Sequence, residues 1–482
     1  MTDELHLRHP DHLFLAGRWT APLDGDRLEV VDPATEATVA TVAGAGPADV
    51  ARAVAAARAA FDHGPWPRLA PAERAERLRR VAAALRERQS ELARALTLEM
   101  GATLKVSTAS CAGPPGLFDY YADLAERLPE VEPRERKGGE AYSVMEPAGV
   151  VAAIVPWNSP FNLSVLKVAP ALAAGCSVVL KAAPSTPLDA LIFAECLEAA
   201  DLPEGVISVL PAGNEAGEAL VRDAQVDKVT FTGSTAVGRH IARICADRIA
   251  RVALELGGKS AAILRDDMPV EEAAARLLPG ATMLTGQACA ALTRVIVPRA
   301  RHDAFVAAFA AAMAAAQVGD PFDAATDMGP IALARQRDRV EDYIAIGLAE
   351  GARLVTGGGR PAHLDRGYYI EPTLFDRVDN RMRIAREEIF GPVISVISCD
   401  SEAEAIAIAN DSDYGLYASI FTNDEEAFRR LARQLRAGNV ARNGVIIDRT
   451  LPYGGFKQSG LGREGGVEGL RAFQEQKTVY LA

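Results

Sequence analysis

The chain has 482 residues, 49% of them hydrophobic and 24% charged, which fits a soluble globular protein of two or three domains and excludes a disordered or fibrous one. A net charge of −12 argues against a broad surface for nucleic acid or an anionic membrane. The six cysteines (Cys111, Cys176, Cys196, Cys245, Cys289 and Cys399) show no CxxC spacing, so neither a metal site nor a disulfide framework is expected, and a reducing cytoplasm is the expected location.

In chain order, residues 47–100 read as helical, with Leu78, Val81, Leu85, Leu92 and Leu96 near one face between charged residues. Residues 121–145 are charged and poor in periodicity. The uncharged run 147–166 is broken by Pro156, Asn158, Ser159 and Pro160, which predicts strand, loop and helix rather than a membrane span. From Val150 short apolar runs at 150–155, 177–181, 206–210, 227–231 and 251–256 alternate with helix-like segments at 161–175, 187–200, 214–223 and 235–248. That spacing implies right-handed crossovers and a parallel sheet covered on both faces, with ligands at the carboxyl ends of its strands. A second alternating set runs over 256–460, including the strand-like runs Arg294–Val297, Val393–Ile397 and Ala418–Phe421. The Ala-rich stretch 304–316 reads as a packed helix, and the chain ends in a strand-like 477–481.

Four segments carry chemistry. Cys289, in Thr285-Gly286-Gln287-Ala288-Cys289, follows a glycine turn; most such thiols are core residues, but one near a helix N-terminus is favoured as a thiolate nucleophile. Glu255, in Glu255-Leu256-Gly257-Gly258-Lys259, stands at a strand's carboxyl end, where it is either a general base or an ion-paired structural acid. Asn158, in Pro156-Trp157-Asn158-Ser159-Pro160, offers an uncharged donor to an oxyanion, or else an Asx-type turn. Phe231-Thr232-Gly233-Ser234 leads from strand to helix, where free backbone N–H groups hold phosphate. Only eight of the 52 basic residues are lysines, and Lys167, Lys181, Lys259 and Lys457 fall in or beside such motifs.

With these segments, Lys181–Pro187, Glu387-Glu388-Ile389-Phe390-Gly391-Pro392, Asn410–Leu416 and Pro452-Tyr453-Gly454-Gly455-Phe456-Lys457-Gln458-Ser459-Gly460-Leu461-Gly462-Arg463-Glu464 in shared order, the sequence resembles the aldehyde dehydrogenase superfamily over nearly its whole length. The resemblance implies an α/β fold: a Rossmann-like cofactor domain (1–120 and 146–255), an α/β catalytic domain (256–465), and a small β oligomerisation arm (121–145 and 466–482). It implies a homodimer or homotetramer. It also implies that Cys289 attacks an aldehyde, that Asn158 and the Cys289 N–H hold the oxyanion, and that hydride passes to the nicotinamide. Glu255 then activates water against the thioester, with Lys167 and Glu464 in a proton relay. On the same resemblance NAD, with NADP possible, is held by Ile154, Val155, Pro156, Trp157, Lys181, Gly213, Phe231, Gly233, Ser234, Leu256, Gly257, Glu388 and Phe390. Ser159, Asn162, Leu163, Leu166, Ala290 and Tyr453 would line a substrate tunnel. No metal is implied.

Two departures stand out. Pro184 replaces a glutamate that in the family binds the adenosine ribose and repels a 2′-phosphate, which weakens discrimination against NADP. Leu284 replaces an asparagine five residues before the nucleophile. Lacking an arginine at Leu166, the chain is expected to prefer an uncharged aliphatic or aromatic aldehyde, although Arg449 offers an alternative anchor for a carboxylate. Acylation of coenzyme A is disfavoured because Glu255 is present, cysteine-dependent ester hydrolysis would need no NAD(P), and a silent binding protein on this fold would be expected to lose Cys289, Glu255 or Asn158.

Overall fold

A computed structural model describes residues 5 and 7–481. The helical N-terminal region divides into Pro47–His63, Pro71–Glu87 and Gln89–Met100. A further helix, Pro114–Arg127, packs on Pro71–Glu87. Leu117, Phe118, Tyr121, Ala122 and Leu124 form its buried face, so residues 121–127 belong to the body rather than to an arm. Asp123 and Glu126 occupy the outer face, where both accept from Arg79.

The first sheet has eight strands. Its five parallel members lie in the order Ile207–Pro211, Ser177–Ala182, Val150–Ile154, Lys228–Thr232, Arg251–Glu255. Chain order therefore reverses direction beside Val150–Ile154, which opens a crevice at the carboxyl ends of the strands. The three strands there that carry buried runs (Val150–Ile154, Ser177–Ala182 and Ile207–Pro211) are buried at every position, as strands covered on both faces must be. Gly460–Leu461 returns from the far end of the sequence to pair antiparallel with Leu254 and Glu255.

The second sheet runs Arg353–Thr356, Thr373–Asp376, Val393–Cys399, Arg294–Pro298, Ala261–Leu264, Tyr417–Phe421, Asn439–Arg442. Only its first pairing is antiparallel. A separate three-stranded sheet joins Gln474–Tyr480, Gly139–Pro147 and Val131–Arg136. Its outer strands leave unpaired edges. Between Glu464 and this sheet the chain forms the helix Gly466–Arg471, whose Leu470, with Phe473 beyond it, enters the main core, so the arm's C-terminal part is the strand alone. Among the described residues no helix is long and apolar enough to cross a membrane.

One buried pair sets a pH limit on this fold. Glu99 accepts from the N–H groups of Leu188 and Asp189 at 2.7 and 3.2 Å, which brings it against the Asp189 carboxyl. Burial pushes Asp189 up to about 8 and, with the nearby Asp189 charge, raises Glu99 well above the usual range. A raised folded-state value means that the contribution to stability is complete below the unfolded value near 3.8 and drains away as pH climbs towards about 8. Asp189→Asn does not titrate. Its Tm measured against wild type by calorimetry is expected to gain from pH 5 to about pH 8 and to level off above; a constant difference across that range would contradict this account.

Candidate active site

The chain passes from Arg251–Glu255 into the second sheet through Leu256–Ser260, and the site is built around this crossing. Leu256 N–H donates to the Ser459 carbonyl at 2.9 Å, and Ser459 Oγ donates to the Gly257 carbonyl at 2.7 Å. Gly258 N–H donates to Glu388 Oε1 at 3.0 Å. A Cβ at Gly257 would fall 2.3 Å from Glu388 Oε2, and one at Gly258 2.5 Å from the Cys289 carbonyl oxygen. Gly258 is therefore dictated by close approach to backbone, whereas at Gly257 only the end of the Glu388 side chain would have to move, and the two bring the strand end, Glu388 and the cysteine loop together.

Cys289 is half-buried in a turn between the helix Val270–Ala281 and the strand Arg294–Pro298. The expected helix N-terminus is absent at this position. Leu284, Thr285 and Gly286 take φ of 49°, 58° and 73°, which reverses the chain sharply instead of starting a helix. Leu284 therefore sits in a left-handed conformation that asparagine tolerates better than leucine, so the replacement costs backbone strain, and nothing in the structure explains it. Gln287 holds the turn, with its Nε2 donating to the Leu284 carbonyl and its Oε1 accepting from Ala332 N–H. Without a helix dipole, and with Glu388 and Glu255 nearby, burial pushes the Cys289 thiol up to about 11; Arg449 and the Tyr453 hydroxyl act in the opposite direction.

Asn158 does not close an Asx turn. Its Nδ2 reaches across to the Gln287 carbonyl at 2.9 Å and so faces the cysteine loop. The helix that follows, Pro160–Ala174, starts with proline at its first position and ends on left-handed Gly175. It carries Ser159, Asn162, Leu163 and Leu166 at or near its start and Lys167 one turn on. Asn162 donates to Ser110 Oγ at 2.7 Å, Leu163 N–H returns to the Ser159 carbonyl, and Leu166 is fully buried. Ala290 and Tyr453 pack in the same core as Cys289.

Glu255 is buried, and neither of its carboxyl oxygens has a hydrogen-bond partner. It is thus no ion-paired structural acid. Burial and the Glu464 carboxylate raise it well above the usual range, while Lys167, Arg463 and Arg449 pull it down. Lys167 and Glu464 form a buried ion pair, and Thr230 joins it, accepting from Lys167 at 3.3 Å and donating to Glu464 at 3.2 Å.

The remaining motif residues ring the crevice. Val155 N–H donates to the Lys181 carbonyl beyond Ile154, and Trp157 meets Phe390 edge-on with ring centroids 5.5 Å apart. Burial lowers Lys181 to about 8, its stem lying 3.6 Å from where Gly217 would place a Cβ. Gly213 precedes the helix Asn214–Arg222, with open space where its side chain would be. Gly233 lies over the Phe231 ring, and Ser234 caps the helix Thr235–Asp247 by accepting from Val237 N–H. Leu256 packs on Gly238. Pro156 links the strand end to Trp157. An anion-accepting helix start, a glycine cradle, a buried lysine and a buried glutamate fit the phosphates and riboses of a dinucleotide.

Residue patterns alone missed Gln287, Thr230, Ser459 and Gly258 as site-building residues. Arg449 was seen only as a distal anchor; its guanidinium lies over the Tyr453 ring, 5.5 Å from the centroid.

The model of the aldehyde dehydrogenase family matches residues 19–479. Geranial dehydrogenase from Castellaniella defragrans is 46% identical over 98% of each chain. The crystal structure of a Mycobacterium tuberculosis aldehyde dehydrogenase complexed with NAD+ superposes with a TM-score of 0.96 at 46% identity, covering 98% of each chain. A variant of aldehyde dehydrogenase C from Pseudomonas syringae, crystallised with NAD+ and octanal, gives 0.94 at 41% identity, covering 98% of this chain and 97% of that one.

A thiol raised to about 11 is protonated at neutral pH, and the thiolate fraction grows as pH rises. Alkylation of Cys289 by iodoacetamide in the cofactor-free protein, followed by intact mass against Cys289→Ala, is expected to accelerate continuously up to pH 9. A plateau reached below pH 8 would show that the thiol is already ionised.

Proposed function

The chain belongs to the aldehyde dehydrogenase family, its reaction being the NAD-dependent oxidation of an aldehyde, and we propose how its own residues carry that reaction. Cys289 is the nucleophile. Once the thiol has given up its proton to solvent, the thiolate sulfur bonds to the aldehyde carbon, charge develops on the oxygen, and Asn158 Nδ2 with the Cys289 N–H receives it. The bond from Asn158 to the cysteine loop already aims that amide at the right place. When bound, NAD supplies the hydride acceptor; Lys181, Gly213, Gly233, Ser234, Gly257 and Glu388 would hold it. Removal of hydride from carbon leaves an acyl group on Cys289 as a thioester.

Glu255 takes a proton from water, and the resulting attack releases the acid and returns the electron pair to sulfur. The observation that carries this role is that both Glu255 oxygens are buried and unpartnered, so nothing in the protein competes with a water for them. A base lifted from the ordinary carboxylate range accepts a proton more readily near neutral pH. The Lys167–Thr230–Glu464 cluster is the route by which that proton leaves. Coenzyme A transfer is not required when a base of this kind faces the thioester.

Glu255→Gln is expected to keep a pre-steady-state burst of NADH while steady turnover collapses. Asn158→Ala is expected to lose turnover by about 10² to 10³. Normal steady turnover in the first variant, or an unchanged rate in the second, would remove that residue from the mechanism.

The substrate we infer is an uncharged, apolar aldehyde. Leu163, Leu166 and Ala290 offer no charge, and the loop leading to Tyr453 exposes Ile446 and Leu451, at 68% and 59%, on its surface. Arg449 is engaged with the Tyr453 ring and the charges of the site rather than held out for a distal carboxylate. The relative named for geranial and the structure holding octanal fit this class. Pro184 leaves room for NADP as a second, poorer cofactor. The six free cysteines fit a cytoplasmic protein, and the unpaired edges of the three-stranded sheet fit a homodimer or a tetramer of dimers. Across a panel read at the NADH absorbance band, octanal and terpenoid aldehydes are expected to exceed succinic semialdehyde in kcat/KM by about tenfold or more. The reverse ranking would overturn the substrate class.

A further inference from the structure

Tyr453 brings a polar atom to a place where an apolar tunnel wall would need only a ring. It is buried in the core against which Cys289 packs, and its hydroxyl lies within hydrogen-bonding reach of the Cys289 thiol. A buried hydroxyl is costly unless it meets an acceptor, and the acceptor it meets here is sulfur.

The phenol is held in place from several sides. Tyr453 N–H donates to the Glu464 carbonyl at 2.7 Å, and the Tyr453 carbonyl accepts from Glu464 N–H at 2.8 Å. Next along the chain, the Gly454 carbonyl accepts from Asn439 Nδ2 at 3.2 Å, and a Cβ at Gly454 would lie 2.7 Å from Glu255 Oε1. The Arg449 guanidinium covers the ring, 5.5 Å from its centroid. The Arg449 carbonyl accepts from Gly466 N–H at 3.3 Å, which anchors the loop that carries it. The backbone of Tyr453 is thereby tied to the base and to the buried ion pair, and its side chain is clamped between Arg449 and the thiol.

Cys289 has no helix dipole to favour its charge, and Glu388 and Glu255 both oppose its ionisation. We propose that Tyr453 is a further catalytic residue: its hydroxyl donates to the Cys289 sulfur and stabilises the thiolate, and Arg449, seated on the ring, strengthens that donor. This role rests on Cys289 being the nucleophile. No proton changes hands at the phenol. The thiol proton goes to solvent, while burial with the nearby Cys289 and Glu255 charges holds Tyr453 well above the ordinary tyrosine range. The phenol therefore stays a donor at every working pH and is excluded as a base. Arg449 pulls in the other direction, making the hydroxyl a better donor without ionising it. A hydrogen bond to a charged acceptor is the stronger kind, so the contact favours thiolate over thiol.

Alkylation of Cys289 by iodoacetamide in the cofactor-free protein reads the thiolate with neither aldehyde nor NAD present. Failure there leaves the nucleophile standing, whereas aldehyde oxidation by Cys289→Ala would remove the nucleophile itself. Loss of a hydrogen bond to a charged group lowers the thiolate fraction by about tenfold, but the thiolate that remains is the stronger nucleophile. Tyr453→Phe at pH 8 is therefore expected to react about threefold more slowly than wild type. Replacement of Tyr453 by 3-fluorotyrosine keeps the ring in place with a more acidic phenol and tests the contact if the first variant does not fold. That protein is expected to react faster than wild type, whereas disturbed packing would slow both. Arg449→Met is expected to lag wild type at low salt and to approach it in molar salt, where the arginine charge is screened. Equal rates in wild type and Tyr453→Phe, slowing by both ring replacements, or a deficit in Arg449→Met that molar salt leaves undiminished would each overturn the proposal.

Discussion

The structure turns on a close backbone approach. At Gly258 the chain crosses between two sheets so tightly that a single methyl group would collide with the carbonyl oxygen of the nucleophile. The same few residues receive Ser459 on one side and Glu388 on the other. Because the sheets are rigid, this crossing fixes the distance between groups that belong to different layers. Glu255 stands at the end of one sheet, Cys289 precedes a strand of the next, and Glu388 comes from a third segment. None of these positions can shift by an ångström without disturbing the others, and that is the precision that a reaction between oriented groups demands.

Electrostatics in the site are set by burial rather than by pairing. Cys289, Glu255, Glu388 and Tyr453 are all displaced towards their neutral forms by desolvation. The protein keeps charge away from the reacting atoms and places it one layer out, in the Lys167–Glu464 pair and in Arg449 over Tyr453. Such a site is quiet until a substrate supplies developing charge, and the donors aimed at the cysteine loop then act without competition from water. The Glu99–Asp189 pair follows the same rule, with burial raising both carboxyls.

Much of this was legible in order along the chain. The alternation of apolar runs from Val150 marked the parallel sheet, and the motifs at Asn158, Glu255 and Cys289 marked the crevice. Two readings failed for physical reasons. Residues 121–127 looked like charged arm because Asp123, Glu126 and Arg127 obscure a buried face that runs on from 117 and 118 through 121 and 124, which only the partner helix reveals. The glycine turn before Cys289 suggested a helix N-terminus close to the thiol. Three successive left-handed residues decide otherwise, and Gly286 is pressed against the Gly391 backbone with no room for a Cβ.

By itself the sequence determined the fold class and the family and singled out Cys289, Glu255 and Asn158 as candidates, because these depend on local periodicity and on residue types in a fixed order. Only the tertiary structure decided that Glu255 is unpaired, that Asn158 points at the cysteine loop, and that Arg449 is spent on Tyr453. The reason is common to all three. Whether a polar group is satisfied depends on atoms contributed by segments far away in the chain, and that count exists only once the sheets have packed.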